Sequence, residues 1–250
     1  VGTMVPEPQL PNPGKIMDRD SATHSVWNKM GFPSDGVQVT AEHLRRLRRP
    51  YPSPLFLNIG KNRTTTNENA LSDYLKCADT VSQFCDGLVI NISSPNTVGL
   101  RELSQRKNLE PLLRGLRLQL GQQRLLLKLS PDMEATDLKN AVQIASEYVD
   151  GFVLTNTTVS REPGSPFPKE GGLSGRPLAE LSEQALKTVK TELGANRQKY
   201  LIVSVGGVLN AADVQRRLDL GADLVEVYSA LIFEGPWFFR QVAAARRDIQ

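Results

Sequence analysis

Histidine is nearly missing from this chain of 250 residues: His24 and His43 are its whole supply. So few imidazoles exclude most histidine-built metal centres, and no metal is expected. They also argue against a serine–histidine–aspartate triad. Cysteine is as scarce, with Cys77 and Cys85 alone. Two cysteines make no disulfide scaffold. They share one helical-looking stretch, and eight residues of ideal helix span about 12 Å, beyond the reach of a disulfide. Both are read as reduced core thiols in a reducing compartment. Aromatic residues make up 6%, too few for a base-stacking platform. The formal net charge of +3 is too small to argue for a polyanion, so no nucleic acid partner is expected. No apolar run approaches the roughly 20 residues that cross a bilayer, and no secretory signal pattern opens the chain. Nucleotide and metal motifs of the GxGxxG, HExxH and CxxC types are missing. IGKN (59–62) lacks the glycine spacing and the hydroxyl of a P-loop.

What is present is ordinary globular material, 40% apolar and 23% charged, with a clear rhythm. Short apolar runs alternate with amphipathic stretches. The runs are VGTMV (1–5), PLFLNIG (54–60), GLVINI (87–92), RLLLKL (124–129), GFVLTN (151–156), YLIVSV (200–205) and DLVEVY (223–228). Most are continuous rather than alternating, as in strands buried on both faces of a parallel sheet. Between them Leu109, Leu112, Leu113 and Leu116 keep helical spacing. So do Leu71, Tyr74, Leu75 and Ala78, and Leu138, Ala141, Val142 and Ala145. Asn210 caps a short helix that Gly221 closes, and Pro236 suits the first turn of a last one. This alternation predicts right-handed βαβ units and a parallel α/β sheet. Seven strands are visible where a parallel (β/α)8 barrel has eight. Because the chain opens on Val1 inside a strand, residues 1–250 are expected to be a single, partial barrel domain carrying strands two to eight. An open doubly wound sheet is the alternative. Residues 6–53 and 157–177 are longer than connectors need to be and are expected to be functional lids or loops. The RRLRRP run (45–50) reads as a solvated helix end.

In a parallel barrel the chemistry sits at the carboxyl ends of the strands. Here those ends carry Lys61 and Asn62, then Ser93 to Thr97, then Lys128, Ser130 and Asp132. Thr155 to Thr158, Gly206-Gly207 and Tyr228-Ser229 complete the ring. The ring is rich in Asn, Ser and Thr, holds lysines and has almost no carboxylate. Neutral amides and hydroxyls orient a planar ligand with many hydrogen-bonding edges. Gly206-Gly207 follows the next-to-last strand and precedes the Asn210 helix. That is the usual phosphate site of a barrel, because glycine lets backbone N–H groups approach phosphate oxygens.

Seven collinear motifs carry a resemblance. NKMGF (28–32), FLNIGKN (56–62), NISSPNTVGLR (91–101), LLLKLSPD (125–132), TNTTVSR (155–161), GGLSGRPL (171–178) and SVGGV (204–208) are similar to those of the dihydroorotate dehydrogenases. The likeness runs from Val1 to about residue 240. Serine in the SSPNT motif resembles the membrane-associated, quinone-reducing class 2. The resemblance implies a barrel holding FMN, oxidation of dihydroorotate to orotate in pyrimidine biosynthesis, and reoxidation by a quinone. Ser94 would be the base that removes the C5 proton. Asn28, Gly31, Phe32, Asn91, Asn96, Asn156 and Thr157 would hold the pyrimidine acid. Thr3, Asn58, Asn91, Lys128 and Thr155 would line the flavin. Ser174, Gly175, Gly206, Gly207, Tyr228 and Ser229 would bind its ribityl and phosphate. Serine is a weak base with no histidine in its motif, so its proton must pass on, through Thr97 or water.

Three features depart from the family pattern. The opening barrel strand with its lysine is not in the sequence. Nor is the N-terminal helical pair that forms the quinone tunnel and touches the membrane. KIMDRD (15–20) replaces an apolar stretch, with Arg19 where the family keeps a quinone-side arginine. A chain truly starting at Val1 is expected to hold no stable flavin. The class implies the mitochondrial inner membrane, or the bacterial cytoplasmic membrane as a peripheral protein. From the residues two other readings stay open: a Schiff-base aldolase working through Lys128, and a non-catalytic barrel remnant acting as a structural or binding subunit.

Overall fold

The computed structural model describes residues 2–247. Its strands are β1 (Thr3–Met4), β2 (Met17–Asp20), β3 (Ser25–Asn28), β4 (Phe56–Ile59), β5 (Gly87–Asn91), β6 (Arg124–Leu129), β7 (Gly151–Leu154), β8 (Gly172–Gly175), β9 (Leu201–Val205) and β10 (Leu224–Glu226). Its helices are α1 (Val37–Arg46), α2 (Ala70–Val81), α3 (Arg106–Leu120), α4 (Ala135–Ala145), α5 (Ala179–Leu193), α6 (Ala211–Asp219), α7 (Ser229–Glu234) and α8 (Trp237–Arg247). All seven expected strands are present, β6 with its expected ends and the other six shortened; Val1 of the first lies outside the described residues.

Those seven strands form one parallel sheet in the order β1-β4-β5-β6-β7-β9-β10. Each new strand joins the same growing edge, so the order never reverses. A doubly wound sheet needs such a reversal, and that alternative is overturned. The sheet curls: Thr3 and Glu226, from strands at opposite ends of the order, line one cavity. Among the described residues β1 and β10 do not pair with each other, so the curl is not closed.

The two-residue period of the strands splits their apolar residues between two cores. Outward, Leu57, Ile59, Leu88, Ile90, Leu125, Leu127, Phe152, Leu154 and Ile202 pack under α2, α3, α4 and α5. Each such buried side chain contributes about 1.5–3 kcal/mol. Inward, Val89, Leu126, Val153 and Val203 meet one another, joined by Phe56, Leu201 and Val205. Among the described residues no helix covers that inner face; the strands fill it with their own side chains. Double burial is why the runs read as continuous apolar stretches.

The stripe of α3 is buried as its spacing predicts: Leu109, Leu112, Leu113 and Leu116. On α2 the stripe is rotated, with Ala70, Tyr74, Cys77, Ala78 and Val81 buried and Leu71 and Leu75 at its edge. The Asn210 cap is present, its Oδ1 accepting from the Asp213 N–H at 2.9 Å. RRLRRP lies at the exposed end of α1, with the Arg45 and Arg49 guanidiniums 5.5 and 5.3 Å from the Phe84 ring. Cys77 and Cys85 are both free thiols. Among the described residues no helix is long and apolar enough to cross a membrane.

The two long segments are more structured than the sequence suggests. Residues 6–53 contain the β2–β3 hairpin, and 157–177 contain β8. Together they make a second, antiparallel sheet in the order β2-β3-β8. Trp27, Phe167 and Leu173 pack beneath it, and the Trp27 indole N–H donates to the Glu170 carbonyl at 2.6 Å. The small sheet roofs the carboxyl ends of the parallel strands.

Candidate active site

Along the inward-facing rows of β4 to β7, apolar side chains give way to polar ones at the carboxyl end. Phe56 is followed by Asn58, Val89 by Asn91, Leu126 by Lys128 and Val153 by Thr155. The apolar layer is a floor, and above it lies a cavity of about 700 Å³. Thr3, Asn58, Asn91 and Lys128 enter from the strands, and Thr155 from the position just past β7. Ser94, Asn96, Asn156, Thr157, Gly206, Gly207, Tyr228 and Ser229 enter from the loops and turns that follow them. The roof adds Asn28, Gly31, Phe32 and Ser174. The proposed site residues therefore share one hollow, with Gly175 the exception. Gly175 packs against the hairpin, and a Cβ there would lie 2.1 Å from the His24 carbonyl oxygen.

Asn91 is the hub of the polar wall. Its Nδ2 donates to Thr3 Oγ1 at 2.9 Å. Its Oδ1 accepts from Ser93 Oγ at 3.1 Å and from Asn156 Nδ2 at 3.3 Å. Behind it the buried Tyr74 hydroxyl donates to the Asn91 carbonyl at 2.8 Å, and burial pushes that phenol up, so it stays a donor. Asn156 Nδ2 also donates to Ser93 Oγ at 3.1 Å, and its Oδ1 accepts from the Thr157 N–H at 2.7 Å. Across the cavity mouth Asn96 Nδ2 donates to Asn28 Oδ1 at 2.8 Å, joining roof to wall. A network linked in this way holds its members in one orientation.

Some atoms are left over. Among the described residues Asn58 Oδ1, Asn96 Oδ1 and Thr97 Oγ1 are buried and have no hydrogen-bond partner. A buried acceptor without a donor costs about 1–3 kcal/mol. The two amide oxygens suit a ligand that presents N–H edges to the wall. Ser94 is 5% exposed, and its Oγ accepts from the Asn96 N–H at 3.2 Å. No histidine is among the cavity-lining residues described.

Among the described residues the cavity lining holds one carboxylate, in keeping with a ring almost without them, but it is Glu226 and not Asp132, 3.9 Å from Lys128 Nζ. At that distance the two are a loose ion pair without a hydrogen bond. Glu226 was missed because DLVEVY does not say which face is inward. Its register partner, the cavity-lining Val205, decides that. Lys61 and Asn62 leave the ring. Lys61 Nζ is turned into the protein onto the Thr65 carbonyl at 2.6 Å, and burial lowers its pKa. Asn62 Nδ2 donates to the Glu7 carbonyl at 3.1 Å. Ser130 and Asp132 also stand outside the lining. Asp132 instead pairs with Arg101 at 2.8 Å. Arg101 also donates to the carbonyls of Ser93 and Thr157, each at 3.1 Å, and so clamps the loops that carry Ser94 and Asn156. Among the described residues no group of three or more His, Cys, Asp and Glu side chains could hold a metal ion.

A flavin-sized group fits what is there. The flat apolar floor, the unpartnered amide oxygens and the Lys128 ammonium suit a polar ring system. Gly207, at φ +71°, has no room for a side chain because a Cβ would lie 2.3 Å from Ala179 Cα. Its backbone therefore faces the cavity bare, as a phosphate cradle requires.

Comparison with known proteins gives concordant results. The family model described as dihydroorotate dehydrogenase matches residues 1–247. A protein of Anaeromyxobacter sp. (strain Fw109-5) named dihydroorotate dehydrogenase (quinone) is 39% identical over 251 residues, covering 97% of this chain and 68% of the relative. One of the same name from Acidithiobacillus ferrooxidans is 39% identical over 255 residues, covering 97% and 69%. A crystal structure of DHODH in complex with ferulenol from Eimeria tenella superposes with a TM-score of 0.90 at 32% identity, covering 100% of this chain and 73% of that one.

Proposed function

The chain belongs to the dihydroorotate dehydrogenase family, and from that membership we propose an FMN-dependent oxidation of dihydroorotate to orotate, with a quinone as final acceptor, in pyrimidine biosynthesis. The scaffold in this reading is a (β/α)8 barrel whose strands two to eight are the seven parallel strands. The observation that carries the site is the convergence of Ser94, Asn156 and Lys128 on one cavity.

The reaction removes a proton from C5 of dihydroorotate and a hydride from C6, leaving a C5=C6 double bond. FMN, held in the cavity, would supply the two-electron acceptor for that hydride, and a quinone taking up two electrons and two protons would be the final acceptor. Ser94 Oγ takes the C5 proton. A serine alkoxide is not stable at neutral pH, so the proton must leave the hydroxyl as it arrives. The buried Thr97 Oγ1 belongs to the same loop and has no hydrogen-bond partner among the described residues, so it is the hydroxyl free to relay that proton, directly or through water. Asn91, Asn156 and Thr157 orient the pyrimidine carboxylate and ring amides from one side, and Asn28 and Asn96 from the other. Gly31 and Phe32 close the roof over it. Lys128 presents a positive charge to the ring edge where negative charge develops. Thr3, Asn58 and Thr155 fix that ring. Ser174, Gly206, Gly207, Tyr228 and Ser229 hold the ribityl phosphate.

The test is anaerobic spectroscopy of the full-length protein. Dihydroorotate should bleach its visible flavin band, and a quinone should restore it. A flavin band that survives excess dihydroorotate overturns the assignment. A quinone dissolves in lipid, so the same reading puts the protein at a membrane surface, and we place it at the mitochondrial inner membrane. Fractionation of source cells tests that setting against a bacterial cytoplasmic membrane.

A further inference from the structure

Arg217 lies on α6 with 0% of its surface exposed, an unusual place for a permanent charge. Its partners explain the position. Nη1 donates to Ser182 Oγ at 2.6 Å and to Ser204 Oγ at 3.0 Å. Nη2 donates to the Ala179 carbonyl at 3.0 Å and to the Gly206 carbonyl at 2.7 Å. Glu183 Oε1 stands 3.4 Å from its Nε and 2.9 Å from the Nε of Arg216. One guanidinium thus joins β9, the first turn of α5 and the Gly206-Gly207 turn. Gly207 itself leans on Ala179, the residue whose carbonyl Arg217 holds.

Peptide geometry gives this grip a consequence. The Gly206 carbonyl and the Gly207 N–H belong to one trans peptide plane and point in opposite directions. Fixing the carbonyl on Arg217 turns the N–H away from that guanidinium, and Gly207 lines the cavity. A charged donor on the carbonyl also polarises the N–H across the same plane. The phosphate end is otherwise short of positive charge. Among the described residues Lys128 is the one lysine or arginine in the cavity lining, and it sits at the ring end.

We infer that Arg217 is the positioning residue of the phosphate-binding turn: it aims and polarises the Gly207 N–H, and so gives the site its preference for a flavin bearing a terminal phosphate over the same flavin without one. The inference rests on the flavin reading above and deepens it. The test uses full-length protein stripped of flavin. Dissociation constants for FMN and for riboflavin are measured by fluorescence quenching in wild type, Arg217→Met and Arg217→Lys, with a thermal melt of each. In Arg217→Met the preference for FMN should fall by about tenfold or more, while riboflavin binding stays within about twofold. Arg217→Lys keeps the charge but loses the fork, and its preference should fall by about threefold. If Arg217→Met shows no cooperative melt, Arg217→Lys decides. An unchanged preference in a folded variant overturns the inference and leaves the flavin reading standing. Equal weakening of both flavins overturns it too, because that is the mark of a packing role. Wild-type protein that binds neither flavin overturns the flavin reading and the inference with it.

Discussion

Replacing Arg101 by Met removes five N–H donors and keeps an unbranched stem in their place. In the native protein those donors reach three loops at once: the Ser93 carbonyl at 3.1 Å, Asp132 Oδ2 at 2.8 Å and the Thr157 carbonyl at 3.1 Å. Asp132 keeps two other donors, the Thr158 hydroxyl and the Val159 N–H, so it is not stranded. Breaking a buried ion pair costs about 3–5 kcal/mol. Here the side chains are 27% and 17% exposed, and water meets part of the loss. A stability loss of about 2–3 kcal/mol follows, measured by urea unfolding. The clamp also holds the loop of Ser94 against the loop of Asn156. Slackening it should lower kcat/KM for dihydroorotate by about 10–100-fold, since sub-ångström placement governs the reaction. Asp132→Asn breaks the same pair from the other side, and the double variant should lose less than the sum of the two single losses. An Arg101→Met protein within about 0.5 kcal/mol of wild type, with unaltered kinetics, would refute the clamp.

Three further outcomes are expected. Ser94→Ala should retain flavin and slow its reduction by dihydroorotate by at least about 100-fold in stopped flow, the scale of a lost general base; a near wild-type rate removes Ser94 from that role. Lys128→Ala deletes the one cation lining the cavity among the described residues and leaves Glu226 facing the ring, so flavin should dissociate more readily on dilution; full occupancy with unchanged kinetics counts against the placement. Burial pushes the Cys85 thiol up to about 11 and raises the Cys77 thiol further. At pH 8 the native Cys85 should react with a disulfide reagent about 200-fold more slowly than a simple thiol, from ionisation alone. Its rate should rise as the pH climbs toward 11, because deprotonation supplies the nucleophile. Two thiols that label at the simple-thiol rate before unfolding contradict this.

The local sequence determined a good deal about this protein. RLLLKL and GLVINI read as strands buried on two faces and Leu109 to Leu116 as a buried helical stripe, and the fold has them so. Asn210 capped the helix its position announces. These features depend on side chains within a few residues of each other, and the chain carries that information directly. The family resemblance went further and named most of the residues that line the cavity, from Thr3 to Ser229. Contacts between distant segments decided the rest. The β2-β3-β8 roof is written in four-residue pieces, MDRD, SVWN and GLSG, too short and too mixed to announce strands before they find each other. Glu226 entered the site through its register beside Val205, and Lys61 left it by turning back onto Thr65. Arg101 and Arg217 read as ordinary arginines until folding put loop and turn carbonyls within reach of their guanidinium forks. Which face of a strand looks inward, and which carbonyl a buried arginine meets, are set by pairing across tens of residues, and no local pattern can contain them.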